Sequence, residues 1–509
     1  NAYNIAVGYD AGKNVTTGET MVLMGAFAGD ALTTGSSNVA IGYSALSAED
    51  TGQRSIAIGE GALQAQNNDA NNYNVAIGHH AGHLVTTGTL NTIIGGLAGD
   101  ALTTGDSNVA IGYAAMGAAD GSESRNVAIG YAALATMNND ASNYNTAVGY
   151  AAGFNITTGA DNTIVGGLAG DSLTTGGLNV AVGKAALSTE DTGSASVAVG
   201  HAALMNQNVS GSVYNTAVGH NAGTSVTTGT ENTIIGGLAG DALTTGEDNT
   251  ALGYNALTNA QEDGRNTAIG RGALAGQNGA GTAYNTALGY NAGGAVTTAA
   301  RNTLIGGLSG DAITTGGDNV TLGYNTLSSN TIGNSNVAIG KDAMLQNVAA
   351  DRNVAVGLGS LQNMTSATTT DSYNVGVGYA SGGSITSGSG NNLIGGLAGD
   401  AITTGSENTA LGRSALGAEV EGGRNIAIGH RSLASQNTTS FAYNLAVGYN
   451  AGVNITTGTL NTIVGSNAGD ALTTAAHNTV LGYQALSAED TDGFNTAIGF
   501  QTLLVQDGA

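Results

Sequence analysis

Aromatic and basic side chains recur in this chain at fixed distances from one short motif, and their chemistry suits ligand binding. The motif is Asn, a β-branched residue, Ala, Ile or Val, and Gly, as in Asn38 to Gly42. We number its Asn position zero. Position plus five carries eleven of the 18 tyrosines, and position minus one carries the other seven. Rows of aromatic and basic groups can bind sugars or acidic polymers by stacking and hydrogen bonding.

The plus-five column supplies the candidate ligand-binding residues. Histidine, lysine and arginine share this column with tyrosine, and arginine also recurs at minus one. The alternative interpretation, which we favour, is a structural ladder in which tyrosines cover strand edges and cations offset the acidic charge. The binding candidates are Tyr43, Tyr113, Tyr150, Tyr254, Tyr290, Tyr449, His79, His220, His430, Arg271 and Arg413.

One aspartate per group of coils follows the segment Gly-Gly-Leu-Ala-Gly, for example in Gly95 to Leu102. This segment resembles the calcium-binding nonapeptide of toxin-type repeats, which binds ions between consecutive turns. Here the aspartates recur only once in four or five coils, without a partner carboxylate in the next coil. A turn-capping role is therefore favoured. The weak metal candidates are Asp30, Asp100, Asp171, Asp241, Asp311, Asp400 and Asp470.

Acidic pairs are the strongest candidates for catalysis. Glycosidases need two carboxylates that face each other across a cleft, whereas these pairs recur in loops, so we predict solvated turns. The pairs are Glu49-Asp50, Glu190-Asp191 and Glu262-Asp263.

Histidine gives no metal signature either, because His79, His80 and His83 form an isolated cluster without ligand spacing. Nucleophile-elbow, Walker and dinucleotide motifs are absent from the sequence. The sequence therefore predicts neither an enzyme, nor a cofactor, nor a metal site.

The repeat that positions these side chains covers the whole chain. The motif occurs 29 times, mostly at a spacing of 17 residues, with Gly at plus four in every copy and Asn at zero in 26. Coils form sets of four (A to D) of about 70 residues, and each A coil has Tyr at minus one. The sets begin near 4, 74, 145, 215, 285, 374 and 444, and the set at 285 has five coils.

An extra coil that leaves the phase undisturbed indicates a stacked architecture. We predict an all-β protein, a single continuous β-solenoid (β-roll) of 29 coils over residues 1–509. Plus one and plus three alternate as in a half-buried strand, so we expect plus three to point into the core. We expect a second strand in A and B coils at plus ten to plus thirteen, such as Ala31 to Thr34.

The motif residues themselves have predicted structural roles. Glycine at plus four provides a backbone angle that side chains forbid or allows close coil contact. Asn at zero tolerates a left-handed turn, and its amide bonds to the Asn of the next coil. The representative structural residues are Gly42, Gly95, Gly166, Gly236, Asn38, Asn91, Asn162 and Asn232.

One core slot is filled in two ways. A and B coils have Gly at plus eight and an aliphatic residue at plus eleven, as in Gly29 and Leu32. C and D coils have Leu at plus eight and a polar residue at plus eleven, as in Leu46 and Glu49. We expect one large apolar group per coil, supplied from either position.

Plus two would then face outward, where B coils carry Ile or Leu instead of Ala. An apolar stripe of this kind marks a packing surface, which favours self-association; the alternative is a thicker core. The residues are Leu23, Ile93, Ile164, Ile234, Leu304, Leu393 and Ile463.

Composition limits the partners. The net charge of −24, from 12 basic and 36 acidic residues, disfavours nucleic acid. Without cysteine the chain suits an extracellular, cell-surface or virion location. The sequence has no apolar run of the ~20 residues that a membrane helix needs. It begins at Asn1 without a leader, so we expect a processed product or part of a longer protein.

The motifs Asn-Val-Ala-Ile-Gly and Asn-Thr-Ala-Ile-Gly resemble the head repeats of trimeric autotransporter adhesins and the shaft repeats of bacteriophage tail fibres. The resemblance extends coil by coil over the whole chain, although these coils are longer than those of the adhesins. It implies a left-handed β-roll, a parallel homotrimer and attachment to host surfaces.

We therefore expect an extracellular structural fibre or adhesin shaft that acts as a stiff, repetitive rod and self-associates as a homotrimer or filament. The alternative is a glycan- or receptor-binding module that uses the Tyr/His/Arg columns. A polysaccharide-degrading tailspike is the least favoured interpretation.

Overall fold

A computed structural model describes residues 2–366, 368–488 and 491–504. Within these ranges the protein contains strands, turns and bends but no helix, and so no helix long and apolar enough to span a membrane. Its turns repeat with the predicted spacing, which confirms the β-solenoid. Contacts divide the chain into two units, Asn1–Tyr254 and Asn255–Ala509.

Every coil contributes one strand of three residues at positions plus one to plus three. In the first unit these strands are β1 Ile5–Val7, β2 Val22–Met24, β3 Val39–Ile41, β4 Ile56–Ile58, β5 Val75–Ile77, β6 Thr92–Ile94, β7 Val109–Ile111, β8 Val127–Ile129, β9 Thr146–Val148, β10 Thr163–Val165, β11 Val180–Val182, β13 Val197–Val199, β15 Thr216–Val218, β16 Thr233–Ile235 and β17 Thr250–Leu252. Two further short strands are β12 Gly193–Ser194 and β14 Gly211–Ser212.

The second unit repeats the same element. Its strands are β18 Thr267–Ile269, β19 Thr286–Leu288, β20 Thr303–Ile305, β21 Val320–Leu322, β22 Val337–Ile339, β23 Val354–Val356, β24 Val375–Val377, β25 Asn392–Ile394, β26 Thr409–Leu411, β27 Ile426–Ile428, β28 Leu445–Val447, β29 Thr462–Val464, β30 Thr479–Leu481 and β31 Thr496–Ile498.

Within each unit, strands of successive coils pair in parallel and in register. Ala6 of β1 lies opposite Leu23 of β2, and Ala40 of β3 lies opposite Ala57 of β4. β12 and β14 form a separate parallel pair. Because the register is constant, each motif position becomes a continuous column along its unit.

The side of the strand that faces the core is opposite to the prediction. In β3 it is Ala40 at plus two that is buried, whereas Val39 and Ile41 are partly exposed. The isoleucine or leucine at plus two of B coils, including Leu23 and Ile93, is also buried. The thicker-core alternative is thus confirmed and the outward plus-two stripe is wrong. A coil of 17 residues encloses so little space that mostly alanine fits at plus two.

The predicted second strand is also wrong. Residues 31–34 form turns and bends instead. The backbone N–H of Thr16 still donates to the carbonyl oxygen of Thr33 at 2.9 Å, and that of Thr33 donates to Asp50 at 2.7 Å. The coils therefore remain hydrogen-bonded here, but the tight turns on either side prevent a regular ladder.

Glycine at plus four has both predicted roles. Gly42 has a φ of 136°, and a Cβ there would lie 2.4 Å from the carbonyl oxygen of Gly59 in the next coil. Three further glycines have φ values of 136–142° and face the corresponding oxygen of the next coil at 2.4–2.5 Å, namely Gly95, Gly166 and Gly236.

Asparagine at zero joins neighbouring coils as predicted, but not from a left-handed conformation. Asn38 Nδ2 donates to the Gly52 carbonyl oxygen of its own coil at 2.8 Å, and its Oδ1 accepts the N–H of Ser55 at 2.9 Å. Positive φ occurs one residue earlier, at Ser37. Similar bonds to the next coil are made by Asn91, Asn162 and Asn232.

The exchange of the large apolar residue between two positions is confirmed. Leu32 at plus eleven and Leu46 at plus eight are both fully buried. A Cβ on Gly29 would lie 2.7 Å from Leu32 Cδ1 and 3.0 Å from Leu23 Cδ2. The space beside Gly29 is therefore already filled by two leucines.

Replacing Gly29 with Leu should overpack this coil and lower the free energy of unfolding by about 1–3 kcal/mol. The measurement is chemical denaturation of both proteins. Gly390→Leu is the matched control, because Gly390 also has a positive φ, 68°, and a Cβ there makes only ordinary contacts of 3.6–3.8 Å. Equal denaturation midpoints for Gly29→Leu and the control would contradict the filled slot.

Candidate functional site

The plus-five column forms discontinuous ladders of stacked rings on the coil surface. Tyr131 stacks between Tyr113 at 5.6 Å and Tyr150 at 5.3 Å, with interplanar angles of 15° and 12°. Tyr43 instead meets Phe27 edge-on at 5.9 Å. Stacked neighbours therefore lie against both faces of Tyr131.

The other candidates in this column pair locally. His220 stacks on His201 at 5.3 Å, and His430 stacks on Tyr449 at 5.4 Å. Two further contacts join successive coils. Arg271 lies 5.9 Å from the Tyr290 ring centre, and the ring of Tyr254 covers Gly237. Arg413 is exposed. The column thus brings neighbouring coils together in pairs or triples.

The minus-one column repeats one arginine–tyrosine contact at the junction between sets. Arg54 lies 5.5 Å from the Tyr73 ring centre, and Arg125 lies 5.6 Å from that of Tyr144. The tyrosines have positive φ, 53° at both Tyr73 and Tyr144. The same contact recurs in Arg265–Tyr284, Arg352–Tyr373 and Arg424–Tyr443.

The aspartate column holds half-buried carboxylates. Burial raises the pKa of Asp171 and of Asp311, and the backbone N–H of each residue partly offsets this. In both, Oδ1 is buried without a hydrogen-bond partner. Within each unit, successive aspartates lie four or five coils apart, which is roughly 19–24 Å at a strand spacing of about 4.8 Å. They are therefore not brought together as the carboxylates of one site.

Asp100 differs from the others because histidines lie beside it. Burial raises the pKa of Asp100, and its own N–H, His80 and His83 offset only part of this increase. The pKa of His80 is lowered by burial and by the neighbouring imidazoles of His83 and His79. His79 stacks on His80 at 4.1 Å, so this coil holds a compact imidazole group.

The prediction that the acidic pairs lie in solvated turns is wrong. In each pair one carboxylate is fully buried: Glu49, Glu190 and Asp263. Glu419 and Glu123 are buried in the same way. The sequence does contain a signal for the burial of Glu49. Glu49 occupies plus eleven, and this position holds a buried aliphatic residue in A and B coils.

Each of these carboxylates accepts hydrogen bonds in the core. Glu49 accepts the Gly52 N–H at 2.7 Å, Gln66 Nε2 at 2.9 Å and Asn72 Nδ2 at 3.1 Å. Gln66 Oε1 in turn accepts Asn74 Nδ2 at 2.9 Å. The carboxylate is thereby connected to the asparagine column, and every partner named here is a donor.

The same chain of hydrogen bonds recurs in three other sets, with both side-chain distances at 2.9 Å. It runs from carboxylate through glutamine to asparagine in Glu190–Gln207–Asn215, Asp263–Gln277–Asn285 and Glu419–Gln436–Asn444. Burial raises the pKa of Glu49, and the hydrogen bond from Gln66 is the largest effect that lowers it.

No family model, curated protein or solved structure matches this chain.

Replacing Gln66 with Met removes a donor to Glu49 and the acceptor of Asn74. We expect the free energy of unfolding to fall by about 2–4 kcal/mol at neutral pH, because a buried carboxylate loses a partner. Met is accommodated at the corresponding position of another coil, where Met137 is fully buried. Urea denaturation measures the change.

The cost should be smaller at pH 5 than at pH 7. Losing the Gln66 bond raises the folded-state pKa of Glu49 further, so the variant takes up a proton at higher pH than the wild type and gains stability as pH falls. Gln64→Met in the same coil is the control, since Gln64 is only half-buried. Comparable losses in both variants would rule out a specific Glu49–Gln66 bond.

Proposed function

We propose that this protein is an extracellular structural fibre: the stiff, repetitive shaft of an adhesin, a surface filament or a phage tail fibre. The observation that carries the proposal is the in-register repetition of one coil, as in Val39 opposite Ile56 and Ile41 opposite Ile58. A stack in which each coil is hydrogen-bonded to both neighbours resists bending, so the stiffness of the proposed shaft follows from its repeat.

Self-association as a homotrimer is the second part of the proposal. The outward positions plus one and plus three carry Val, Ile, Leu and Thr in nearly every coil. Leu322, Ile394 and Leu411 are 47%, 42% and 44% exposed. Fourteen strands at about 4.8 Å make a stripe of roughly 60 Å in the second unit. Monomeric proteins rarely expose an apolar patch of more than a few hundred Å².

The resemblance to adhesin heads and tail-fibre shafts supports the same assembly, because it rests on Asn at zero and Gly at plus four. In this chain those two positions make the contacts between coils, as Asn38 and Gly42 do. A net charge of −24 without cysteine suits an extracellular, cell-surface or virion location.

Glycan or receptor binding through the plus-five column is the alternative function. Sugars stack on the faces of aromatic rings, and the faces of Tyr131 are covered by Tyr113 and Tyr150. The proposal therefore assigns this column to the surface of a shaft. It assigns no catalytic role to the buried carboxylates, since Glu49 and Glu190 lie inside the core among hydrogen-bond donors.

Light scattering of the purified chain should give the mass of three chains of 49.6 kDa. A triple variant with Leu322→Lys, Ile394→Lys and Leu411→Lys should dissociate to monomers, because it would place charges in the apolar interface. Electron microscopy should show elongated particles; compact ones would contradict the shaft.

The matched control carries three lysines elsewhere on the surface. Leu90, Leu178 and Leu460 are exposed residues of the minus-one column, so Leu90→Lys, Leu178→Lys and Leu460→Lys together should leave the trimer intact. A monomeric wild type, or dissociation of both triple variants alike, would contradict the proposal that the outward strand face is the trimer interface.

A further inference from the structure

One surface cluster combines imidazoles and a carboxylate from two consecutive coils. Glu60 occupies plus five of one coil, and His79 occupies plus five of the next, followed by His80. One ligand atom from each of the three side chains lies within 4.8 Å of the other two. Glu60 and His79 are exposed and His80 is half-buried, so the cluster is accessible from solvent.

We propose that Glu60, His79 and His80 form a binding site for one late first-row divalent cation such as Zn²⁺. Two imidazole nitrogens and a carboxylate oxygen are a ligand set that zinc accepts in proteins, with bonds of about 2.0–2.2 Å. Tetrahedral bonds of that length place ligand atoms roughly 3.3 Å apart. The side chains therefore close by at most about 1.5 Å, which the exposed Glu60 and His79 achieve by rotation toward the half-buried His80.

His83 lies beside the proposed ligand His80. Its ring lies 4.3 Å from that of His80, and its Nδ1 is 3.2 Å from the carbonyl oxygen of Gly61. Since a carbonyl can only accept, the Nδ1–H of His83 is the donor in this contact. The bond fixes the His83 ring in its stacked position beside His80. Asp100 adds negative charge beside His80 and His83.

Gly61 provides the space that the imidazoles occupy. A Cβ at this position would lie 2.7 Å from His80 Cδ2 and 3.2 Å from His83 Nδ1. Alanine is compatible with the backbone here, because Ala132 and Ala202 occupy the corresponding position with φ values of 52° and 54°. Gly61→Ala is therefore expected to fold while displacing His80 and His83.

The cluster is not an ordinary part of the plus-five ladder. His79 and His80 are sequence neighbours with ring centres 4.1 Å apart, whereas ladder rings of successive coils, such as His201 and His220, lie 5.3 Å apart. His80 occupies plus six of its A coil. The A coil that contains His220 has Asn221 at plus six instead. The His201–His220 pair therefore lacks the carboxylate and the additional imidazoles, and serves as an internal control.

The test is calorimetric titration of the full chain, without a polyhistidine tag, with ZnCl₂ at neutral pH. We expect one saturable site per chain. The double variant His79→Ala/His80→Ala should bind at least about tenfold more weakly, as should Glu60→Gln and Gly61→Ala. The visible absorption of bound Co²⁺ reports tetrahedral nitrogen and oxygen ligation independently of affinity.

The control double variant His201→Ala/His220→Ala should bind Zn²⁺ as the wild type does. The proposal is overturned if the wild type shows no saturable site, or if His79→Ala/His80→Ala retains wild-type affinity. An unchanged dissociation constant in Glu60→Gln would exclude the carboxylate and thereby overturn the three-ligand site. Folding of each variant is checked by far-ultraviolet circular dichroism.

Discussion

The asparagine at position zero is the contact on which the remaining structure depends. Its Nδ2 closes the coil by donating to a carbonyl oxygen fourteen residues later, and its Oδ1 accepts the N–H of the same position in the next coil, as Asn91 does with Gly105 and Asn108. One buried side chain thus satisfies groups of two coils, and an unsatisfied amide in the core would cost about 1–3 kcal/mol. The repetition of this contact fixes the register, and a fixed register lets glycine at plus four meet the next backbone at close distance.

The sequence predicts the coil, the number of coils and the contacts that Asn and Gly make between coils, because those contacts depend on residue type and spacing alone; it does not predict the backbone conformation of Asn. It does not predict which side of the strand faces inward. A period of two has two solutions, and a shift of one residue exchanges the faces. In β3, hydrophobicity favoured Ile41 for the core, but the available space favoured Ala40. The same constraint explains why Leu23 is large: it fills the space beside Gly12 and Gly29, which have no side chain.

The buried carboxylates give the C coils of several sets a polar core contact that A and B coils lack. In four sets a buried carboxylate of the C coil is hydrogen-bonded to a glutamine of the next coil, which is bonded to an asparagine of the following coil, as Glu49, Gln66 and Asn74 are. Loop carboxylates are usually solvated, and the sequence alone places Glu49 in a loop. What it does not reveal is that three successive coils bring donors to one point in the core. Buried polar contacts of this kind contribute to specificity of register in some proteins, and here they distinguish C–D junctions from A–B junctions.

Because the core contacts come from fixed positions, the outward positions are free to differ between coils. Plus five carries glutamate at Glu60, tyrosine at Tyr131 and histidine at His201 in corresponding D coils, although all three coils have a buried leucine three residues later, at plus eight. Coil stacking then places each such residue beside the one from the following coil: Glu60 beside His79, Tyr131 beside Tyr150, His201 beside His220. A new surface site therefore needs only a few substitutions in adjacent coils and no change in the fold. This separation of scaffold from surface is the physical reason that one repeat can accommodate both the proposed shaft and the proposed cation site.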